Sequence, residues 1–260
     1  MVTSSYLPNF RLDGQLALVT GSAQGLGNAI AWACAASGAK VILNGRNKAR
    51  LLAQQQAILQ AGFSAEIFVQ DISDITSYTH NHNVLCKEYG TPSIHINCVG
   101  QRLRKGFKDC TPTEITEHIQ TNLTATIQIS RLAALQMQQA GIKGRIISLS
   151  SIAGRIARLG DSIYPIAKQG VEAMVRSLAV EFGASGILSN GIAPGTFATE
   201  SNVLLAKDPI RGPMVLGRNP LQRWAQPHEI AGAAVFLASP AASYINGHVM
   251  VVDGGFSIAF

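Results

Sequence analysis

Short apolar runs alternate with amphipathic stretches along the whole chain. Each apolar run predicts a buried strand, and apolar residues spaced three and four apart predict the helix that follows it. The predicted strands are 15–19, 39–44, 65–70, 93–97, 144–150, 187–193 and 248–253. The predicted helices are one ended by Gly38 and those at about 48–61, 74–89, 112–139, 163–183 and 227–238, with an irregular segment at about 195–225.

This alternation predicts an α/β fold. Buried strands joined by helices form a mainly parallel sheet covered on both faces, and right-handed crossovers make it doubly wound and Rossmann-type, with about seven strands. A length of 260 residues suits one such domain, and no internal repeat, low-complexity tract or linker divides the chain. We therefore expect residues 1–260 to form a single domain.

Composition and charge narrow the classes of function. Apolar residues make up 47% of the chain, but no apolar run reaches the ~20 residues of a membrane helix. The start of the chain lacks a signal-peptide pattern, so we expect a cytoplasmic protein with no membrane partner. The net charge is +6, yet only 14% of residues are charged and the basic ones form no long blocks. This pattern argues against nucleic acid and suits an anionic cofactor or substrate.

The four cysteines form no C-x-x-C pair. In an intracellular protein such isolated cysteines are typical of reduced, mostly buried thiols. We expect neither a disulfide nor a metal site.

A glycine-rich turn at 20–27 joins the first strand to the first helix. Glycines allow positive φ and a close approach to a pyrophosphate, and the helix N-terminus offers unpaired N–H groups and a positive dipole end. The spacing G-x-x-x-G-x-G differs from the common G-x-G-x-x-G, but its place after the first strand predicts dinucleotide binding. The predicted contacts are Gly21, Ser22, Gln24, Gly25, Leu26 and Gly27.

The end of the second strand indicates which dinucleotide is preferred. A carboxylate there would bind the ribose 2′-hydroxyl of NAD(H), but this chain has Asn44, Gly45 and Arg46. Arg46 can pair with a 2′-phosphate, and no acid repels it. We therefore expect NADP(H) as the preferred cofactor. The alternative is that Arg46 is a solvated loop residue and that NAD(H) is accepted as well.

Tyr164 and Lys168 lie four residues apart at the start of a helix, so both side chains share one face. The ammonium favours the phenolate, and the pair can exchange a proton with a substrate oxygen near neutral pH. The preceding strand ends in Ser150 and Ser151, whose hydroxyls can hold and polarise that oxygen. These residues belong at the carboxyl edge of the sheet, where doubly wound folds bind ligands.

In this order the motifs resemble those of the short-chain dehydrogenase/reductase family, over residues 12–256. The turn matches the family's T-G-x-x-x-G-x-G, Tyr164 and Lys168 match its Y-x-x-x-K, and Ser151 matches its catalytic serine. Asn122 matches the helix asparagine that supports a water-linked proton relay through the lysine. The resemblance implies that Asn122, Ser151, Tyr164 and Lys168 are the catalytic residues.

The resemblance also implies further cofactor contacts. Asp71 and Ile72 match the pair beside the adenine, Asn190 and 194–196 match the stretch beside the nicotinamide, and 253–255 match the family's end motif. Beyond the turn, the implied cofactor-binding residues are Asn44, Arg46, Asp71, Ile72, Asn97, Gly100, Tyr164, Lys168, Pro194, Gly195, Thr196 and Thr199.

One motif departs from the family pattern. The family's N-N-A-G after the fourth strand reads Asn97, Cys98, Val99 and Gly100 here. Because the two ends of the motif are kept, we expect cofactor binding to survive and the packing of the strand end to differ.

By this resemblance the chain is a single NADP(H)-binding catalytic domain that moves a hydride between nicotinamide and a carbonyl or secondary alcohol. Tyr164 exchanges the proton of the oxygen, while Lys168 promotes that exchange and contacts the cofactor ribose. Ser151 fixes the oxygen, Asn122 orders the relay, and no metal is required. Such relatives are usually homotetramers, built through the helices at about 112–139 and 163–183 and the last strand.

The segment 101–105 is the densest basic patch. Arg102, Arg104 or Lys105 would meet a substrate carboxylate if the segment faces the site, but a solvated loop or a subunit contact explains it equally well. The segment 196–225 is hypothesised to be a flexible lid over the substrate.

Three stretches, 153–161, 195–200 and 220–224, resemble gluconate 5-dehydrogenases, which interconvert D-gluconate and 5-keto-D-gluconate. The expected substrate is thus a small sugar acid. The same core serves a 3-oxoacyl-[acyl-carrier-protein] reductase or another sugar or polyol dehydrogenase, and these stay open as alternatives. A non-catalytic NADP(H)-binding sensor is the alternative from a different class.

Overall fold

The seven predicted strands form one parallel sheet in the computed structural model, which describes residues 8–259 apart from the side chains at 201, 204 and 211. The strands are β1 Leu16–Val19, β2 Lys40–Gly45, β3 Ala65–Val69, β4 Ile94–Asn97, β5 Arg145–Leu149, β6 Leu188–Pro194 and β7 Val249–Val252. Their order is β3-β2-β1-β4-β5-β6-β7, and all neighbouring strands are parallel. Each predicted boundary lies within one residue of the observed one.

Helices cover both faces of this sheet. They are α1 Gly25–Ala36, α2 Lys48–Gln60, α3 Ile75–Tyr89, α4 Pro112–Ile119, α5 Ala125–Gln139, α6 Ile163–Phe182, α7 Val203–Lys207, α8 Arg211–Gly217 and α9 Ala231–Ala238. One apolar core joins the sheet to α1, α2 and α9, and two others join it to α3, α5 and α6. The predicted doubly wound α/β fold is confirmed.

The strands are apolar throughout because both of their faces are buried. In β1, Ala17 and Val19 belong to the core beneath α1 and α9, whereas Leu18 points to the opposite core beneath α3 and α5. Alternate residues of a strand point to opposite faces, so a strand covered on both sides reads as a continuous apolar run.

The predicted helix at 112–139 is wrong in its middle. A π-helical turn, Gln120–Thr124, separates α4 from α5. Within it Asn122 donates from Nδ2 to the carbonyl oxygen of His118 at 2.9 Å, the carbonyl that its own N–H would bind in an α-helix. Such turns are frequent at functional sites, and no periodicity of apolar residues signals them.

The segment at 195–225 is less irregular than predicted, since it contains α7 and α8. Gly212, Pro213 and Gly217 all lie within α8. Pro213 is the third residue of α8, where its missing N–H costs no intrahelical bond, and Gly217 is the residue at which the helix ends.

The chain changes direction across the sheet between β1 and β4, because β2 lies on one side of β1 and β4 on the other. Connections that run apart in this way leave a crevice at the carboxyl ends of the strands, which is where open α/β sheets bind ligands. Among the helices of residues 8–259, none is long and apolar enough to cross a membrane.

Candidate functional site

A cleft of about 1190 Å³ lies at the carboxyl ends of the strands and joins the glycine-rich turn to the Tyr-Lys pair. It exceeds the volume of an ordinary small-ligand pocket, about 300–1,000 Å³, and is large enough for a dinucleotide with a substrate beside it. The predicted residues that line it are Gly21, Gln24, Gly25, Leu26, Gly27, Asn44, Arg46, Asp71, Ile72, Gly100, Ser151, Tyr164, Lys168, Pro194, Gly195 and Thr199.

The turn requires glycine at three positions. Gly21 and Gly25 have φ of 65° and 61°, in the left-handed region that favours glycine. A Cβ on Gly27 would lie 2.4 Å from the carbonyl oxygen of Gly21, so no side chain fits there. The turn is therefore a tight backbone cradle at the N-terminus of α1, suited to a pyrophosphate.

Ser22 and Asn44 attach this turn to the sheet. The Asn44 N–H donates to Ser22 Oγ at 3.0 Å, and Asn44 Nδ2 donates to the carbonyl oxygens of Phe68 and Gln70 at 2.9 and 3.0 Å. Both side chains are fully buried. Ser22 therefore supports the cradle from behind.

The side chains of four predicted site residues do not line the cleft: Ser22, Asn97, Asn122 and Thr196. Asn97 donates to Ser130 Oγ at 2.8 Å and to Ser148 Oγ at 3.0 Å, which ties β4 to α5 and β5. Asn190 is also buried and bonds Ile245 and His248. A motif match alone does not separate a contact residue from the buried residue that supports it.

The altered strand-four motif packs directly against the turn. The N–H of Cys98 donates to Thr20 Oγ1 at 3.1 Å, and Val99 Cγ2 lies 3.2 Å from the position of a Cβ on Gly21. Burial raises the pKa of the Cys98 thiol. These residues pack against the backbone of the turn and also line the cleft.

Two arginines lie at the end of the cleft beside β2. Arg46 is 80% exposed, and its Nη1 is 3.5 Å from Asp71 Oδ2. Arg50, one turn into α2, also lines the cleft and bonds Gln24 Oε1. The sequence reasoning missed Arg50, although the basic residues at 46 and 50 bracket the start of a predicted helix.

Tyr164 lies in the first turn of α6, 8% exposed, with three basic side chains around its ring. The guanidinium carbon of Arg102 is 4.5 Å from the ring centroid, and Lys168 Nζ is 5.8 Å from it. The ring of His118 approaches edge-on, with centroids 6.0 Å apart. Two cationic side chains and an imidazole therefore surround the Tyr164 ring.

Lys168 and Asn122 are brought together around Gly100. Lys168 Nζ donates to the carbonyl oxygen of Leu149 at 2.9 Å. A Cβ on Gly100 would lie 3.3 Å from Lys168 Nζ and 3.7 Å from Asn122 Oδ1. Glycine at this position therefore lets the loop after β4 pass between the two side chains.

The two serines at the end of β5 have different surroundings. Ser151 Oγ accepts from the N–H of Ala153 at 3.1 Å and lines the cleft, so its own proton is available to a ligand. Ser150 Oγ lies 3.1 Å from the carbonyl oxygen of Lys168 and 3.0 Å from Glu172 Oε1. Ser150 thus anchors α6, and Ser151 faces the cleft.

The basic segment 101–105 is extensively paired. Arg102 donates to the buried carboxylate of Asp161 at 2.5 Å, and Lys105 donates to Glu114 at the same distance. The bond from Lys105 lowers the pKa of Glu114 to about 2. Arg104 contacts Asn202 Oδ1 at 3.3 Å. Arg102 and Arg104 line the cleft, and Lys105 supports the loop from outside it.

The residues present fit a phosphorylated dinucleotide. The side-chain-free cradle at Gly27 leaves backbone N–H groups for a pyrophosphate, and Arg46 and Arg50 supply guanidinium groups where a 2′-phosphate would need them. Glu200 opposes this fit in part, since its Oε2 lies 3.5 Å from the position of a Cβ on Gly25. Glu200 is exposed, so its side chain can turn towards solvent.

No group of three His, Cys, Asp or Glu side chains that could hold a metal ion occurs within residues 8–259. The four cysteines are free thiols. The cleft thus offers a phenol, an ammonium, a hydroxyl and guanidinium groups, together with the imidazole of His118 and carboxylates such as those of Asp71 and Glu200.

Known proteins share both the sequence and the fold of this chain. The family model adh_short_C2, described as enoyl-(acyl carrier protein) reductase, matches residues 21–257. Gluconate 5-dehydrogenase of Gluconobacter oxydans (strain 621H) is 34% identical over 250 residues, which cover 96% of this chain and 97% of that protein. The 5-keto-D-gluconate 5-reductase of Escherichia coli (strain K12) is 31% identical over 256 residues, covering 96% and 98%.

A solved structure agrees closely with the fold. It is a gluconate 5-dehydrogenase from Burkholderia cenocepacia J2315 in complex with NADP and tartrate, with a TM-score of 0.93 and 31% identity, and the match covers 97% of this chain and 99% of that one. The family match spans most of the chain and includes the turn, the serine and the Tyr-Lys pair. The chain therefore belongs to the short-chain dehydrogenase/reductase family of NAD(P)-dependent oxidoreductases.

Proposed function

We propose that this protein is an NADP(H)-dependent oxidoreductase that interconverts D-gluconate and 5-keto-D-gluconate. One observation carries the proposal: a single cleft contains both a phosphate cradle and a buried Tyr-Lys pair with a serine hydroxyl. The relatives named above act on this pair of sugar acids. Arg104, in the loop after β4, lines the cleft and suits the carboxylate of such a substrate, whereas the guanidinium of Arg102 already donates to Asp161.

The cofactor is held by backbone at one end and by charge at the other. The turn at 20–27 binds the pyrophosphate, and Arg46 with Arg50 binds the 2′-phosphate, which favours NADP(H) over NAD(H). NADP(H) supplies or accepts the hydride when it is bound. The end of β2 carries no carboxylate, so no negative charge there repels the 2′-phosphate. NAD(H) is accepted more weakly, because it lacks this phosphate.

Tyr164 moves the proton. In carbonyl reduction its Oη gives a proton to the substrate oxygen, and in alcohol oxidation the phenolate takes it back. Lys168 and Arg102, both close to the ring, stabilise the phenolate that remains. The Ser151 hydroxyl donates a hydrogen bond to the same oxygen and fixes its position.

The surroundings of this pair increase the effect of each charge. Lys168 and Ser151 are 3% and 4% exposed, so little water screens the field at the reacting oxygen. Asn122, in the π-helical turn, supports Lys168. Gly100 lies between the side chains of Asn122 and Lys168. A buried, ordered set of this kind serves turnover and gives no advantage to a sensor that only binds the cofactor.

We propose further that residues 1–260 act as one catalytic domain in a cytoplasmic homotetramer. Exposed apolar side chains on the outer faces of α5 and α6, among them Ile127, Leu135 and Val180, support association through these helices. Sedimentation equilibrium on the purified protein tests the assembly, and a monomer at micromolar concentration would contradict it.

A substrate screen tests the reaction. NADPH and NADH oxidation are each followed with 5-keto-D-gluconate, an acetoacetyl thioester and simple ketosugars. The proposal predicts the highest kcat/KM with NADPH and 5-keto-D-gluconate. A preference for the thioester would instead indicate an acyl-carrier-protein reductase, and no turnover with any carbonyl would support the sensor.

A further inference from the structure

His118 is a buried histidine that touches two of the proposed catalytic residues. It lies at the end of α4, 7% exposed, with its ring edge-on to Tyr164. Its Nε2 is 3.3 Å from Asn122 Nδ2. The sequence reasoning assigned it no role, because a single histidine in an amphipathic helix forms no motif.

The hydrogen bonds of Asn122 determine the protonation state that His118 must have. Asn122 Oδ1 accepts from the N–H of Gln101 at 2.8 Å, so its Nδ2 is the end that faces His118. Nδ2 donates one hydrogen to the carbonyl oxygen of His118 at 2.9 Å. Its second hydrogen points to His118 Nε2, which can accept it only when that nitrogen carries no proton.

Charged groups of both signs surround His118. On α6, Lys168 Nζ lies 5.8 Å from the centroid of the Tyr164 ring, and the loop after β4 places the Arg102 guanidinium over the same ring. Asp161, which precedes α6, is the nearby acid, but its carboxylate is bound to Arg102. On α4 itself, Glu114 is paired with Lys105, and Glu117 is exposed to solvent.

Burial has the largest effect on the titration of His118. Burial lowers the pKa of His118 below its ordinary 6.5, Asp161 partly offsets the change, and Lys168 lowers the pKa further. Near neutral pH the imidazole is therefore uncharged and able to accept the hydrogen from Asn122.

We propose that His118 is a positioning residue that holds Asn122 in place only while its imidazole is neutral. On protonation, Nε2–H would face the N–H of Asn122, the bond would be lost, and a further positive charge would sit beside Tyr164. The inference rests on the proposed function, since it requires Tyr164 and Asn122 to serve the reaction.

The direction of the assay makes this proposal testable. In carbonyl reduction Tyr164 must carry its proton, so a falling pH does not by itself remove the reactive form of the phenol. The proposal predicts that kcat for carbonyl reduction decreases at acid pH, with a midpoint below pH 6.5, because His118 becomes protonated. Across that midpoint kcat falls by about three- to tenfold and then levels off, because His118 positions Asn122 and does not itself transfer the proton.

Two variants separate the ability of residue 118 to accept the hydrogen bond from its ability to titrate. His118→Gln keeps an acceptor that does not titrate, and His118→Val removes the acceptor. We expect His118→Val to lower kcat for reduction about three- to tenfold at every pH, the cost of one neutral hydrogen bond, with little change in KM. We expect His118→Gln to recover most of that loss and to show no acid limb. His80→Gln, an exposed histidine on α3, is the matched control and keeps the wild-type pH profile.

A second readout does not depend on turnover. The imidazole signal that disappears in His118→Gln is followed by NMR with pH, together with the side-chain amide signals of Asn122. We expect both to shift with one midpoint, at the pH of the acid limb. An acid limb that persists in His118→Gln, or Asn122 signals that ignore the titration of His118, would overturn the proposal. Failure of the proposed function is a distinct result, namely no turnover by the wild-type protein or full turnover by Tyr164→Phe.

Discussion

The glycine-rich turn and the loop after β4 line the same cleft, but different forces hold them. The turn is fixed by backbone shape and by neutral hydrogen bonds through Ser22 and Asn44. The loop is fixed by charge, through Arg102 with Asp161 and Lys105 with Glu114. The cofactor side should therefore be sensitive to added bulk, and the substrate side should be sensitive to pH and to charge.

Gly27→Ala is the sharpest test of the cofactor side. The added Cβ would lie 2.4 Å from the carbonyl oxygen of Gly21, so the cradle must open. Overpacking of this kind costs about 1–3 kcal/mol, and we expect the Kd for NADPH to rise about 5- to 150-fold. Fluorescence titration measures the change.

Gly232→Ala is the control for this substitution. Gly232 is exposed in α9, and apart from its chain neighbours and the nearby backbone of its own helix no atom lies within 4 Å of its added Cβ. This variant should keep the wild-type Kd. An equal Kd for Gly27→Ala and the wild type would show that the turn does not approach the cofactor.

Arg46→Ala tests the charged end of the cofactor side. A charge-assisted hydrogen bond to a phosphate contributes about 1.5–3 kcal/mol, and exposure of Arg46 reduces this, so we expect about a tenfold lower kcat/KM with NADPH. The kcat/KM with NADH should stay the same, because NADH lacks the 2′-phosphate. Lys48→Ala, an exposed neighbour that does not line the cleft, is the control. Equal losses with both cofactors would contradict the assignment.

Acid unfolding has to be separated from the acid effect at His118. Burial lowers the pKa of His82, on α3 and away from the cleft, to about 4. The unfolded chain binds a proton near pH 6.5 and the folded one only near pH 4, so stability falls as the pH drops through this window. Between pH 7 and 5 the free energy of unfolding should decrease by about 2 kcal/mol from His82 alone.

His82→Gln should remove that part of the decrease, as measured by urea unfolding at both pH values. His80, two residues earlier on the same helix, is exposed, so His80→Gln should leave the decrease unchanged. If the free energy of unfolding decreased between pH 7 and 5 by the same amount in both variants and in the wild type, burial of His82 would not control acid unfolding.

The fold followed from local patterns in the sequence. Runs such as those of β1 and β5 are apolar because both faces of the sheet are covered, and the glycine-rich turn has a backbone geometry that few residues allow. The Tyr164–Lys168 pair was predictable for the same reason, since its spacing of one helical turn is a local property.

The parts that the sequence did not reveal depend on contacts between distant segments. Arg102 and Asp161 are 59 residues apart and meet only through the fold. His118 gains its role from a π-helical turn that has no periodic signal. Ser22 matches a binding motif but lies buried behind it. Motifs therefore identified the chemistry, and tertiary structure decided which side chain touches the cleft.

The central claim is that the Tyr164 hydroxyl exchanges the proton of the substrate oxygen. Tyr164→Phe removes that hydroxyl alone, and the fully exposed Tyr244→Phe is its control. Carbonyl reduction and NADPH binding are measured in parallel on both variants. We predict that Tyr164→Phe lowers kcat by about 10²–10⁴-fold while its Kd for NADPH stays within about threefold of the wild type. Full carbonyl reduction by Tyr164→Phe would contradict the account.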